Sequence, residues 1–563
     1  MIVGLDMGGT HVDAVIIDRG NIIDAVKTPT DHINLFGSIW EALNHLLKGK
    51  DISSVNRINL STTISTNAIV EGKTASVGMI IESGPGMEPS FLACGKENIF
   101  ITGYVDHRGR EIKSFKPEEI QEAILKFKEK NIEACAVVAK FSVRNPIHEI
   151  EICKLLKDKF SPVTMGHTLS GKLNFPRRVY TSYLNSAVYY VFKSFCESIR
   201  EAMKKENINV PVNVLKADGG TMSLDTAQKY PVNTILSGPA ASVMGALAFN
   251  PGDRDGILLD IGGTTTDISF VADGVPLFEP LGIKIGIKIG NYNTLVREIY
   301  NVSIGLGGDS AIHVENGEIK IGPHREGPPM AIGGLVPTPS DAMIVLGLLD
   351  FGDKERAISA MKDLGEKLQL DAKATAKLIY RKMGEIIKQE VTNIVNEINS
   401  RPVYTVKELL YGKKLKPKYI SLIGGPAKAL APLLEKEFNL PCYVPENYEI
   451  ANAIGAALAK PTAEVTVLAD TAEGKLSIPE IEIYEKIGKD FTVDKAEQKA
   501  LELLREMASV IGASDKDFEG EITEKTSFNM VRGFYTCGKN IRVRAQIKPG
   551  LLYELRGVNH VEV

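Results

Sequence analysis

The stretch Asp260-Ile-Gly-Gly-Thr-Thr-Thr-Asp267 gathers carboxylates, two glycines and three hydroxyls within eight positions. Those residue types handle phosphate. Apolar residues at 256–259 and 268–272 predict a strand, a tight turn and a second strand around them. In such a turn the glycines let the backbone approach a ligand closely. N–H and O–H groups then donate to phosphate oxygens, while Asp260 at the strand end faces a metal ion or water. The chain opens with the same arrangement, Asp6-Met-Gly-Gly-Thr10-His-Val-Asp13 between two apolar strands. Two copies roughly 250 residues apart predict two related halves, each presenting a phosphate hairpin to one shared cleft.

Three further stretches carry candidate chemistry. Gly424-Gly425-Pro426 follows the apolar strand 419–423 and turns into a helix. Thr62-Thr63-Ile-Ser-Thr66-Asn67 opens a helix after the strand 57–61, and its free backbone N–H groups suit an anion or ordinary capping. Gly305-Leu-Gly307-Gly308-Asp309-Ser310 lies in an irregular, glycine-rich region from 281 to about 341. A stretch of that kind inside a compact protein is usually functional or mobile.

The elements that must position these turns read as an α/β chain. Three meandering strands give way to helix 36–47 and strand 57–61. Strand 75–81, helix 117–130, strand 134–141 and helix 148–160 follow. A long helix over 180–205, strands at 212–216 and 234–236 and helices at 342–365 and 371–399 come next. The sheet resumes at 419–423, with a helix to 438, a strand at 441–444 and a helix at 449–460. From 462 a strand–helix–strand pattern rich in Val, Ile, Glu and Lys predicts a separate α+β domain. The expected units are 1–180, 181–460 and 461–563.

Composition bounds the function. A chain of 563 residues is too long for one core. Its 44% hydrophobic and 24% charged residues are those of an ordinary soluble protein. A net charge of −4 without a basic block excludes nucleic-acid tracking. Six scattered cysteines with no CxxC pair point to neither a zinc site nor a disulfide framework. With no apolar run of spanning length and no signal peptide, a cytoplasmic protein off the membrane is expected.

In order, the turns at Asp6–Thr10, Asp260–Thr264 and Gly424–Pro426 resemble the phosphate-1, phosphate-2 and adenosine motifs of the actin/sugar kinase/Hsp70 superfamily. Within it the chain resembles the ATP-dependent hydantoinase A/oxoprolinase family, relatives of acetone-carboxylase-type subunits. Thr62-Thr63 to Glu71-Gly72 is similar to the family's T-T-x-A-T-N-A-x-x-E. Phe141 to Glu149 is similar to F-S-x-x-N-P-x-H-E. Gly219 to Ser223 and Leu236 to Ala240 are similar to N-G-G-x-M-S and L-S-G-P-A. The likeness runs from residue 1 to about 460. Two departures fall in the expected substrate region: Asp309 stands at a glycine position, and 327–334 shortens a longer cysteine-bearing stretch.

The resemblance implies two actin-like (ribonuclease-H-like) halves with mixed sheets around a nucleotide cleft, plus a small C-terminal α+β domain. ATP would lie with Gly8, Gly9 and Thr10 on one side and Gly262, Gly263, Thr264 and Thr265 on the other. Gly424 and Gly425 would lie against adenosine. Asp6 and Asp260 would hold Mg²⁺ through water or orient the attacking oxygen. Thr63, Asn67, Gly307, Gly308 and Asp309 are the expected substrate contacts. The family chemistry phosphorylates the oxygen of a cyclic amide such as hydantoin or 5-oxoproline, and water then opens the ring. A B-type partner subunit and a homo- or hetero-oligomer are implied in the same way. An ATP-dependent carboxylase subunit acting on a ketone and an ATP-driven reactivating protein stay open as alternatives. Asp13 and Asp267 read as hairpin-structural, His11 as cleft-lining or packing, Cys94 and Cys442 as core. His148, His167 and His324 lie too far apart in sequence for a metal cluster to be inferred. Arg177-Arg178 reads as a solvated or helix-capping pair, with steering of a carboxylate as the alternative.

Overall fold

The computed structural model describes residues 1–8, 11–31, 34–249, 252, 254–279, 292–400, 414–510 and 518–556. Two sheets of one topology organise them. In the first, Ile2–Met7, His11–Asp18 and Asn21–Pro29 form an antiparallel meander. Arg57–Thr62 joins Ile2–Met7 in parallel, Val212–Leu215 joins Arg57–Thr62 in parallel, and Thr221–Ser223 closes that edge. In the second, Gly256–Ile261, Thr266–Ala272 and Val275–Pro276 repeat the meander, and Tyr419–Ile423 and Cys442–Tyr443 repeat the parallel extension. The expected pair of actin-like halves is therefore present in strand order and direction.

The central strands Ile2–Met7 and Tyr419–Ile423 are buried on both faces, and their apolar runs follow from that double burial. Between Ile64–Val70 and the long helix Phe175–Lys205 the first half carries a second, four-stranded parallel sheet, in the order 163–165, 134–139, 77–82, 97–100. Its strands had read as part of one mixed sheet. The C-terminal domain is a five-stranded antiparallel sheet covered by the helix Val493–Val510. No helix among the described residues is long and apolar enough to cross a membrane.

Two expected elements differ. The segment 234–236 is no strand: Pro231–Thr234 winds as a 3-10 turn and Leu236 takes a left-handed φ of 63° before the helix Ser237–Ala248. Its apolar residues Ile235 and Leu236, with Val232 from the turn, pack into a core against the long helix, which mimics a strand in sequence. The helix expected over 342–365 is two, Pro339–Val345 and Lys354–Leu368, separated by Gly347 and Gly352 at φ of 74° and 70°.

Two short helices, Ser237–Ala248 and Ala451–Leu458, cross between the sheets, built of Ala, Gly and Ser. A Cβ on Gly245 would lie 2.1 Å from the carbonyl oxygen of Ala451, and one on Gly455 equally close to that of Ala241. Only glycine permits this crossing. The helix Ala451–Leu458 covers the sheet of the opposite half, and the helix Ser237–Ala248 lies between the two sheets, also meeting Leu215 of the first. Ala451, Ala453, Ile454 and Ala457 pack on Ile2, Val15 and Ile17, while Ala240, Ala241 and Met244 pack with Leu258, Val271 and Tyr419.

Candidate nucleotide site

Asp6 and Asp260 occupy equivalent registers. Asp6 pairs across the hairpin with Asp13, and Asp260 with Asp267. The turns close alike: Gly8 N–H donates to the His11 carbonyl at 3.0 Å, Gly262 N–H to the Thr265 carbonyl at 2.9 Å. The two trailing aspartates have partners of their own. Asp13 pairs with Lys27 at 2.9 Å, and Asp267 accepts from the Asn301 amide at 3.2 Å.

The leading aspartates are electrostatically exposed in a different sense. Burial pushes the Asp6 carboxyl up to about 6, the charge of Asp13 adds to it, and Ser61, Asn452 and Lys27 oppose it. Burial likewise pushes Asp260 up to about 6, opposed by Ser242 and reinforced by Asp267 and by Asp6 itself. The two halves thus bring their carboxylates within each other's field. The Ser242 hydroxyl donates to Asp260 Oδ2 at 2.6 Å. Ser242 belongs to the helix that follows the first sheet, and Asn452 to the helix that follows the second. Each half therefore supports the other's carboxylate.

The remaining turns collect around Asp260. A Cβ on Gly424, whose φ is 90°, would lie 2.3 Å from the Ile261 carbonyl oxygen and 2.7 Å from Asp260 Oδ1, whereas one on Gly425 would enter open space. The 305–310 turn docks on the phosphate-type hairpin: Gly308 N–H donates to Gly262 O at 2.9 Å and Asp309 N–H to Gly263 O at 2.6 Å. A Cβ on Gly308 would meet Ser340 Oγ at 2.8 Å and Pro426 at 3.0 Å. Asp309 faces Gly263, with its carboxylate 3.1 Å from Arg325 and accepting from the Ser340 hydroxyl at 3.3 Å. Burial raises this carboxyl while Arg325 and Ser340 restrain it.

Gly262, Gly263, Thr264, Thr265, Gly307, Gly308, Asp309 and Gly424 thus share one neighbourhood with Asp260. Gly9 and Thr10 lie outside the described residues. Thr63 and Asn67 meet a different element: Thr63 faces Gly238 at the start of the crossing helix, the Ser237 hydroxyl donates to the Thr62 carbonyl at 2.8 Å, and Asn67 donates to Thr63 Oγ1 at 3.2 Å. Arg178 departs from the solvated reading. It is fully buried, donating to the carbonyls of Lys172, Ala139 and Lys140. His148 is buried between Glu82 at 2.7 Å and Glu111 at 3.1 Å. Burial works against the charged ring, yet the two glutamates carry it up to about 8.

Sequence reasoning missed Ser242, Asn452 and Arg325. The signal for Asn452 was present, a lone amide in an otherwise apolar helix. No group of three or more His, Cys, Asp or Glu that could hold a bare metal ion occurs among the described residues. The donor set suits a hydrated cation: two carboxylates within each other's field, each raised by burial, with space at Gly425 for a larger ligand.

The family description hydantoinase/oxoprolinase matches residues 178–465, and its N-terminal region matches 2–160. The caprolactamase alpha subunit of Pseudomonas jessenii is 25% identical over 467 residues, spanning 76% of this chain and 65% of its own. Arabidopsis thaliana 5-oxoprolinase 1 is 24% identical over 540 residues, 81% of this chain and 41% of its own. The chain thus spans under two thirds of either relative. Among solved structures, nucleotide-free acetone carboxylase superposes with a TM-score of 0.71 at 15% identity, covering 99% of this chain and 88% of its own. ATP-dependent caprolactamase from P. jessenii does so with 0.71 at 19%, covering 97% and 87%. At these identities the superpositions establish the fold.

Proposed function

The chain belongs to the hydantoinase/oxoprolinase family, and from that premise we propose that it uses ATP to open a cyclic amide of the hydantoin or 5-oxoproline type. The observation that carries this reading is the pair of equivalent carboxylates, Asp6 and Asp260, raised by burial and set on duplicated glycine turns. ATP with Mg²⁺ supplies a phosphoryl donor that converts the inert amide oxygen into a leaving group. Asp6 and Asp260 would hold the hydrated ion, the N–H groups of Gly263, Thr264 and Thr265 would bind phosphate oxygens, and Gly424–Gly425 would let the nucleoside lie on the backbone. These groups neutralise and position charge, which is most of what phosphoryl transfer needs. Asp309, joined to Gly263, would feel the phosphates directly and place the acceptor. A partner subunit is part of the proposal, since the P. jessenii relative is named as an alpha subunit. Magnesium binding, a cytoplasmic location and a C-terminal unit over 461–563 belong to it too, while the boundary between the halves moves from 180 to about 250, because Val212–Leu215 and Thr221–Ser223 are strands of the first sheet.

The test is Mg²⁺-dependent ATP turnover against hydantoin, N-methylhydantoin, 5-oxoproline, caprolactam and acetone with bicarbonate, alone and with a co-expressed B-type subunit. Stimulation by one cyclic amide, lost in Asp260→Ala, supports the reading. Stimulation by acetone with bicarbonate alone would replace it with a carboxylase. Turnover that answers to no small molecule but to a protein client would replace it with a reactivating role.

A further inference from the structure

A cavity of about 600 Å³ lies away from the two phosphate-type hairpins, where the first half, the segment 295–297 and the C-terminal domain meet. That is the volume of an ordinary small-molecule site. Much of its wall is apolar, including Leu295, Ile483, Leu503 and Met507. Its acids are largely committed. Asp218 pairs with Lys216 at 3.0 Å, and Glu464 with Arg544 at 3.3 Å. Glu480 accepts from the N–H groups of Gly171 and Thr466 at 2.9 and 3.2 Å, and Glu506 sits exposed at the rim.

Two cations on the same wall are not so matched. Lys172 Nζ has no hydrogen bond or ion pair among the described residues. Arg297 bonds the neutral Gln546 and stacks over Phe278 at 3.9 Å, again without a carboxylate among the described residues. Burial holds the Lys172 ammonium below its usual range. Glu464 opposes that effect, and Arg544, Arg297 and Arg542 add to it by repulsion. Two neighbouring like charges facing a cavity, with no carboxylate bonded to either among the described residues, form a site for an anion. A monoanion fits better than a phosphate dianion, which would meet the glutamates nearby.

We propose that this cavity binds a small organic acid, its carboxylate held between Lys172 and Arg297 and its apolar body against Leu295, Leu503 and Met507. This inference is independent of the nucleotide reading and is tested without ATP. Thermal melts and calorimetry with the intact protein would use straight-chain monocarboxylates of increasing length plus benzoate and phenylacetate. The matching primary amides and inorganic phosphate serve as comparisons. At least one acid should bind saturably and at least tenfold more tightly than its amide. Lys172→Gln and Arg297→Gln should each weaken it tenfold or more, Lys172→Arg should retain it, and Leu503→Trp should block it by filling the space. Each variant is first checked for an unchanged melting curve and an unchanged circular dichroism spectrum, so a folding defect is told apart from a lost site. No binding by any acid, equal binding of acid and amide, or wild-type affinity in the folded Lys172→Gln, Arg297→Gln double variant would each overturn the proposal.

Discussion

Replacing Asp6 by asparagine removes a charge that burial makes expensive while keeping nearly the same shape beside Ser61 and Asn452. The folded carboxyl titrates at about 6 against 3.8 for the unconstrained group. About two units correspond to about 3 kcal/mol between the two protonation states. Because the folded value is the higher, the carboxyl's favourable contribution is fully present below pH 3.8 and is lost as pH rises through about 6. Measured without nucleotide or divalent ion, Asp6→Asn should therefore be more stable than wild type by about 3 kcal/mol at pH 8, narrowing to about 1.6 kcal/mol at pH 5. Trp40, the single tryptophan, packs against the core of the half that holds Asp6, and Lys205 lies 3.8 Å over its ring. Its fluorescence in urea titrations at the two pH values reports the right transition. ATP turnover should fall by roughly 100-fold or more in the same variant. A lower midpoint at pH 8, or an advantage that does not narrow at pH 5, would refute the account of Asp6 as a strained, solvent-deprived carboxylate.

Three other outcomes follow from the geometry. Gly455→Ala puts a methyl where the Ala241 carbonyl oxygen stands, 2.1 Å from the new Cβ, and should cost about 3 kcal/mol or more, read as a lower urea midpoint or loss of soluble protein. Gly263→Ala brings a Cβ 2.7 Å from Asp309 Oδ2 and should raise the KM for ATP; Asp309→Gly in the same chain should restore it, and additive effects in that double-mutant cycle would show that the two do not touch. His148, raised to about 8 between two glutamates, adds stability that is present below pH 6.5 and lost as pH rises through about 8. His148→Gln should thus cost about 2 kcal/mol at pH 6 and little at pH 9, and an equal loss at both would mean the ring is held neutral.

The two hairpins were legible because everything that makes them lies within eight residues: strand, glycine turn, hydroxyls and a carboxylate at the strand end. The duplicated strand order was legible only by resemblance, since Arg57–Thr62 and Tyr419–Ile423 pair with strands far away in sequence. Local pattern misled where tertiary burial overrode it. Ile235 and Leu236 read as strand because they are apolar, although they follow a 3-10 turn and pack into a core. Arg178 read as solvated because arginine usually is, although three carbonyl groups accept from its terminal nitrogens inside the first half. Ser242 is an ordinary residue in a small-residue helix, and its position beside Asp260 depends on a crossing that no local signal encodes.

That crossing bears on how the chain could have come from a duplicated ancestor. Once a duplicated pair had come to share these two helices, the lobes became inseparable. A fragment ending near residue 250 would carry Asp6 without Asn452 and would leave Ile2, Val15 and Ile17 uncovered. The complementary fragment would carry Asp260 without Ser242. Neither piece could evolve alone thereafter, because the mutual embrace of the two helices ties the inheritance of one acidic group to that of the other.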